Sequence, residues 1–188
     1  LGPKIYVSNH ITSTDPNWVL PVFTEPVHII IGPGYQSKIL ARIFDFFEHI
    51  NAMPDHRKTV VDAAVRYLKN GESVWTAPEG DCQEPFRLGH FYPGVARIYR
   101  RTRAPIIPIA LVAPRSAMRE WPMTMVVEGR VYRTIVVLRG PYCVNVGEPF
   151  HPDTTEDGGP EEDRRVMEEL KERIRLLAED VRTNKFWL

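Results

Sequence analysis

The chain has 188 residues, enough for one full-sized domain with a substantial core and too few for two. Hydrophobic residues make up 43% and charged residues 26%, and 24 Lys plus Arg balance 24 Asp plus Glu. No global field therefore recruits nucleic acid or an anionic membrane, so any such attraction must come from a local patch. Cys82 and Cys143 lie far apart and make no disulfide framework, which fits a reducing compartment. No run approaches the roughly 18 apolar residues of a spanning helix. The first residue is Leu and a motif follows almost at once, so the reading expects an N-terminal membrane-associating segment ahead of residue 1.

In chain order, Ile5-Tyr6-Val7 predicts a strand that enters Asn9-His10-Ile11-Thr12-Ser13-Thr14-Asp15. Residues 18–23 predict a helix, with Asp15 at its N-cap and Pro16 at its first position. A β-branched run at 27–31 predicts a second strand, closed by Gly32-Pro33-Gly34. Ile39, Leu40, Ile43, Phe44 and Phe47 recur at helical spacing over 37–47, and most of them are expected in the core. A short strand is expected at 50–53, a helix at 58–69 ended by Asn70-Gly71, and a strand at 73–76 that runs into Ala77-Pro78-Glu79-Gly80. After a polar loop come a basic helix from Pro93-Gly94 to Arg101 and a strand at 106–112, in which Pro108 predicts an irregularity. Strands at 123–127, 134–138 and 142–146 and a helix over 161–181 complete the chain. The alternation predicts a single α/β domain, residues 1–188, with a mixed β-sheet flanked by helices.

Two groups in this order carry chemistry. His10 stands at a strand end, five residues before Asp15. If the loop folds back, Asp15 accepts from one imidazole nitrogen and leaves the other to take a proton from a hydroxyl. The competing reading is an ordinary helix cap and a polar loop histidine. Glu79 likewise either orients a substrate or caps a neighbour in a turn. Arg57 offers a planar fork suited to phosphate, or simply opens a charged helix. Arg97, Arg100 and Arg101 share one helical face beside Arg103. That cluster could meet the phosphates of coenzyme A, an acidic carrier protein or anionic headgroups, or be solvated. The other histidines, among them His28 and His49, show no metal-ligand spacing.

The order of NHITSTD at 9–15, APEG at 77–80 and the proline-containing APIIPIAL at 104–111 resembles the glycerolipid acyltransferase family, the lysophosphatidic-acid acyltransferase-like enzymes. Their motifs read NHxxxxD, an arginine block, FPEG and a proline-containing strand, and the resemblance spans about residues 4–112. It implies transfer of a fatty acyl group from an acyl thioester, acyl-CoA or acyl-carrier protein, to a hydroxyl of a lipid acceptor. The thioester is a co-substrate, and no further cofactor, metal or nucleic-acid partner is implied. His10 becomes the general base oriented by Asp15, and Asn9, Arg57, Glu79, Gly80 and Arg87 become acceptor-binding residues. Backbone N–H groups after Asp15 or around Gly80 are expected to hold the oxyanion. His10, Glu79 and Arg57 are expected to converge at one end of the sheet.

Because long-chain acceptors live in a bilayer, the enzyme is expected on the cytoplasmic side of a membrane as a peripheral protein, aided by Arg97, Arg100 and Arg101. The chain departs from the family pattern where Asp81-Cys82 follow Gly80 in place of Thr and a cation, and where Tyr92-Pro93 precede Gly94 without a lysine. Two lost cations argue against a phosphate-bearing acceptor, with Arg87 the remaining candidate to replace them. Two other classes stand beside this reading: a lipid-binding scaffold of the same fold, and a thiol acyltransferase or hydrolase acting through Cys82.

Overall fold

The computed structural model describes residues 2–84, 86–114 and 119–183. Strand and helix alternate through β1 (Ile5–Ser8), α1 (Asp15–Val19), β2 (Val27–Ile31), α2 (Lys38–Phe46), β3 (Ile50–Asn51), α3 (Val60–Lys69), β4 (Ser73–Thr76), α4 (Gly94–Thr102) and β5 (Ile106–Val112). A long hairpin follows, β6 (Arg119–Val127) and β7 (Arg130–Arg139), then β8 (Cys143–Val146) and α5 (Pro160–Thr183). Six strands make one sheet in the order β3-β2-β4-β1-β5-β8, all parallel except β8. The sheet is thus mixed, as the alternation predicts.

The central strands read as unbroken apolar runs because both of their faces are covered. On one face Ile5, Val7, Val74 and Ile106 pack with Val65 and Leu68 of α3, Val95 and Ile98 of α4, and Leu170 and Ile174 of α5. On the other, Tyr6, Trp75, Ile107 and Ile109 pack with Ile11 and with Val19 of α1. Parallel pairing gathers the carboxyl ends of β1 to β5 along one edge, where ligand sites form in such sheets.

Pro108 produces the expected irregularity, and its form is now visible. Ile106 bridges Phe150, whereas Ile109 pairs with Val146, so three steps along β5 face four along the partner segment. The carbonyl of Pro108 still accepts from Gly147 N–H at 2.8 Å, while the missing donor falls within the bulge. The hairpin turn places both Glu128 (φ 49°) and Gly129 (φ 77°) in the left-handed region, which matches the twist of the strands it joins.

Three expectations are corrected. Asp15 is not the N-cap of α1; Thr14 occupies that position, and Asp15 lies one residue inside. The periodicity of α2 marks a helix capped by Ser37, whose hydroxyl accepts from Leu40 N–H, but no residue of it is buried. Ile39, Leu40, Ile43, Phe46 and Phe47 are between 43% and 79% exposed. The helix rests on the turn before it, Phe44 lying over Gly34 and Tyr35, instead of on the sheet. Apolar spacing specifies that one side is hydrophobic, not what covers it.

The basic cluster, finally, is engaged in pairs within the fold. Arg97 and Arg100 both pair with the buried Asp163, and Arg100 also donates to the Gly158 carbonyl. Arg101 pairs with Asp62 at 2.5 Å, and Arg103 donates to Thr154 Oγ1 at 2.6 Å. These arginines tie α4 to α3, to α5 and to the segment before α5.

Candidate active site

The site forms where β1 and β4 end side by side. Val7 pairs with Thr76, and His10 and Glu79 each lie three residues further on. The chain of NHITSTD turns so that the carboxylate of Asp15, fully buried, faces back into its own loop. Oδ2 accepts from Ile11 N–H at 2.8 Å and lies 2.7 Å from His10 Nδ1. Oδ1 accepts from Thr12 N–H at 3.0 Å, from the Thr12 hydroxyl at 2.7 Å and from the Tyr142 hydroxyl. An acceptor-only carboxylate fixes the proton of a neutral His10 ring on Nδ1, which leaves the lone pair on Nε2.

The loop after β4 grips His10 from both sides. Glu79 Oε2 accepts from the His10 N–H at 2.6 Å, and the His10 carbonyl accepts from Gln83 N–H at 2.7 Å. Between those anchors, Cys82 Sγ lies 3.5 Å from His10 Nε2. Burial alone would lower the His10 pKa. The interaction with Cys82 and the hydrogen bond to Asp15 outweigh it and hold the ring's pKa well above its ordinary value.

The remaining predicted residues separate by position. Asn9 is 4% exposed, and its amide is spent on β5, donating to the Leu111 carbonyl at 2.9 Å and accepting from Leu111 N–H at 2.7 Å. Glu79 is 3% exposed, and its other oxygen accepts from Gly89 N–H, so both carboxylate oxygens are held by backbone donors. Burial raises its pKa against those two backbone donors. Gly80 takes φ +68°, a conformation that favours glycine, at the turn that swings Cys82 toward His10. Arg57 is exposed beyond β3, three strands from β1, about 14 Å at 4.7–4.9 Å per strand. It shares the end of the sheet but makes no contact with His10. Arg87 is exposed in the loop after β4. Of the N–H groups expected to hold an oxyanion, that of Gly80 donates to the Ala77 carbonyl and that of Asn17 to the Thr14 carbonyl.

Two partners escaped the sequence reading. Tyr142, 127 residues from Asp15, closes the carboxylate from above and stacks on Trp18 at 5.0 Å. Burial and the Asp15 charge hold its hydroxyl firmly protonated. The β6–β7 hairpin is stapled over the site, with Ile135 accepting from Ser13 N–H at 2.9 Å and Arg130 paired with Asp81. No spacing in the sequence signals either contact. Asp81, which stands where the family pattern has a small hydroxyl residue, finds its cation on that hairpin.

Among the described residues, one group could hold a metal: His28, Glu48 and Glu72, whose ligand atoms lie within 4.8 Å of one another. His28 faces the Glu48 carbonyl and the Glu72 carboxylate and stacks on Tyr67. It pairs with Val74 toward the amino ends of the strands, opposite His10, and is most simply a polar clamp.

No curated protein matches the chain. Among solved structures, the fold resembles the 1-acyl-sn-glycerophosphate (LPA) acyltransferase PlsC from Thermotoga maritima. The two are 17% identical with a TM-score of 0.64, and the match covers 96% of this chain and 67% of that one. The acyltransferase family model matches residues 1–112, which hold the His10–Asp15 loop, the Glu79 loop and β5. With more than half its length matched, the chain belongs to the acyltransferase family.

Proposed function

We propose that the protein transfers a fatty acyl group from an acyl thioester, acyl-CoA or acyl-carrier protein, to a hydroxyl of a lipid acceptor, with His10 as the base. One observation carries the reading: a buried Asp15 holds Nδ1 of a partly exposed His10, which leaves the Nε2 lone pair free of the carboxylate. That arrangement suits deprotonation of a hydroxyl, and Asp15 stabilises the imidazolium that results. The resemblance in fold to PlsC supports a lipid acceptor. Asp81 neutralises Arg130, and Cys82 stands where the family pattern has a cation, which favours an acceptor whose headgroup is neutral. The test is thiol release from palmitoyl-CoA and palmitoyl-carrier protein in the presence of monoacylglycerol, a glycosylated lipid or lysophosphatidate. Acceptor-dependent release, greatest with a neutral acceptor, is expected. A protein that binds these lipids but releases no thiol is the scaffold instead.

The same reading makes the protein peripheral on the cytoplasmic side of a membrane. Among the described residues no helix is long and apolar enough to cross one. The arginines first assigned to lipid are paired within the fold, so the apolar side of α2 takes that role. It continues toward exposed Trp121, Met123 and Val126 of the hairpin, with Gln36 donating to the Val126 carbonyl. Burying a phenylalanine side chain is worth about 1.5–3 kcal/mol. Substituting Phe46→Ser and Phe47→Ser together is therefore expected to weaken vesicle binding by on the order of 10²-fold. Raising salt from about 0.05 to 0.5 M should change little. Sedimentation with phosphatidylcholine–phosphatidylglycerol vesicles decides it, and strong salt dependence would return the role to charge.

A further inference from the structure

We propose that Cys82 is a catalytic nucleophile, and that the acyl group passes through a thioester on its sulfur before it reaches the acceptor. The inference rests on the acyl-transfer reading above and changes the number of steps. A base reserved for an acceptor hydroxyl should present its lone pair to open space, yet here Nε2 of His10 faces a thiol at 3.5 Å. With Asp15 at 2.7 Å on the other nitrogen, the three side chains form the nucleophile–base–orienter chain of a triad. The approach is built by the backbone. Glu79 and Gln83 hold the N–H and the carbonyl of His10, Gly80 supplies the left-handed turn, and Cys82 lies between those anchors. Asp81, its neighbour, is turned the other way onto Arg130.

The steps balance. His10 takes the Cys82 proton, and the thiolate attacks the carbonyl carbon of the donor thioester. The donor carbon–sulfur bond breaks, and the donor thiol leaves with the proton from His10. With its sulfur acylated, Cys82 no longer offers a proton to Nε2, and the His10 ring is left to serve the acceptor. It then takes the proton of the acceptor hydroxyl, whose oxygen attacks the acyl carbon. The Cys82–acyl bond breaks, and the sulfur recovers the proton.

The test uses the purified chain with palmitoyl-CoA, and separately with palmitoyl-carrier protein, without acceptor. Intact-mass measurement is expected to show one palmitoyl adduct on Cys82 that neutral hydroxylamine removes and that added monoacylglycerol discharges. Cys82→Ala should form no adduct and lose turnover by on the order of 10³-fold or more. If Cys82→Ala turns over within about twofold of wild type, the nucleophile is refuted. Loss of activity in His10→Ala would then leave direct transfer standing. If the wild type releases no thiol from either donor under any acceptor, the acyl-transfer reading fails, and this one with it.

Discussion

His10→Ala is expected to lower acyl transfer by about 10²–10⁴-fold, the range that a positioned base contributes. The loss should appear in kcat with little change in KM, because the ring handles a proton and does not hold the lipid. The same substitution has a signature in stability. The fold holds the His10 pKa above its unfolded value, so the native state binds a proton more tightly than the unfolded chain does. That stabilisation is complete below the unfolded pKa and is lost as pH rises through the folded one. Asp15 and Cys82 face the ring, with Glu79 close by, and they set the sign. Urea denaturation should therefore show wild type and His10→Ala drawing closer in stability as pH rises above the ordinary imidazole value. A constant difference across pH would mean that the ring is not held protonated, and unchanged turnover in His10→Ala would remove the base from the mechanism.

Asp15→Asn is expected to be nearly as damaging as His10→Ala. From the sequence alone a smaller loss is expected, because asparagine keeps a capping side chain. The structure alters that expectation. Both oxygens of Asp15 face donors, Ile11 N–H and His10 Nδ1 on one, Thr12 N–H and two hydroxyls on the other. An amide NH₂ must point at one set or the other. Facing His10, it reverses the tautomer; facing Thr12, it leaves a buried N–H unpaired, at a cost of about 1–3 kcal/mol. A fall in kcat of on the order of 10³–10⁴-fold is expected, together with a lower urea midpoint at unchanged m-value. If Asp15→Asn keeps most of its turnover while losing stability, the carboxylate is a structural clamp only.

Much of this protein is decided by local sequence. The apolar runs at β1, β4 and β5, the helical periods of α3 and α5, and the order of the three motifs each depend on residues close in the chain, and each holds in the structure. Pro108 is legible for the same reason, since a missing N–H disturbs any ladder it enters. His10 and Asp15 are legible because five residues of loop suffice to bring them together. What tertiary structure alone decided is every meeting of groups distant along the chain. The register Val7↔Thr76 brings His10 level with Glu79, turns that carboxylate into a clamp on backbone, and delivers Cys82 to the imidazole across 72 residues. The hairpin brings Arg130 to Asp81, and the segment after it brings Tyr142 to Asp15. Arginines that share a helical face become internal ties because Asp62 and Asp163 stand opposite them, and the apolar side of α2 stays largely exposed because the helix rests on the turn before it and not on the sheet. Periodicity records which way a side chain points along its own element; strand register and layer packing determine what it meets there.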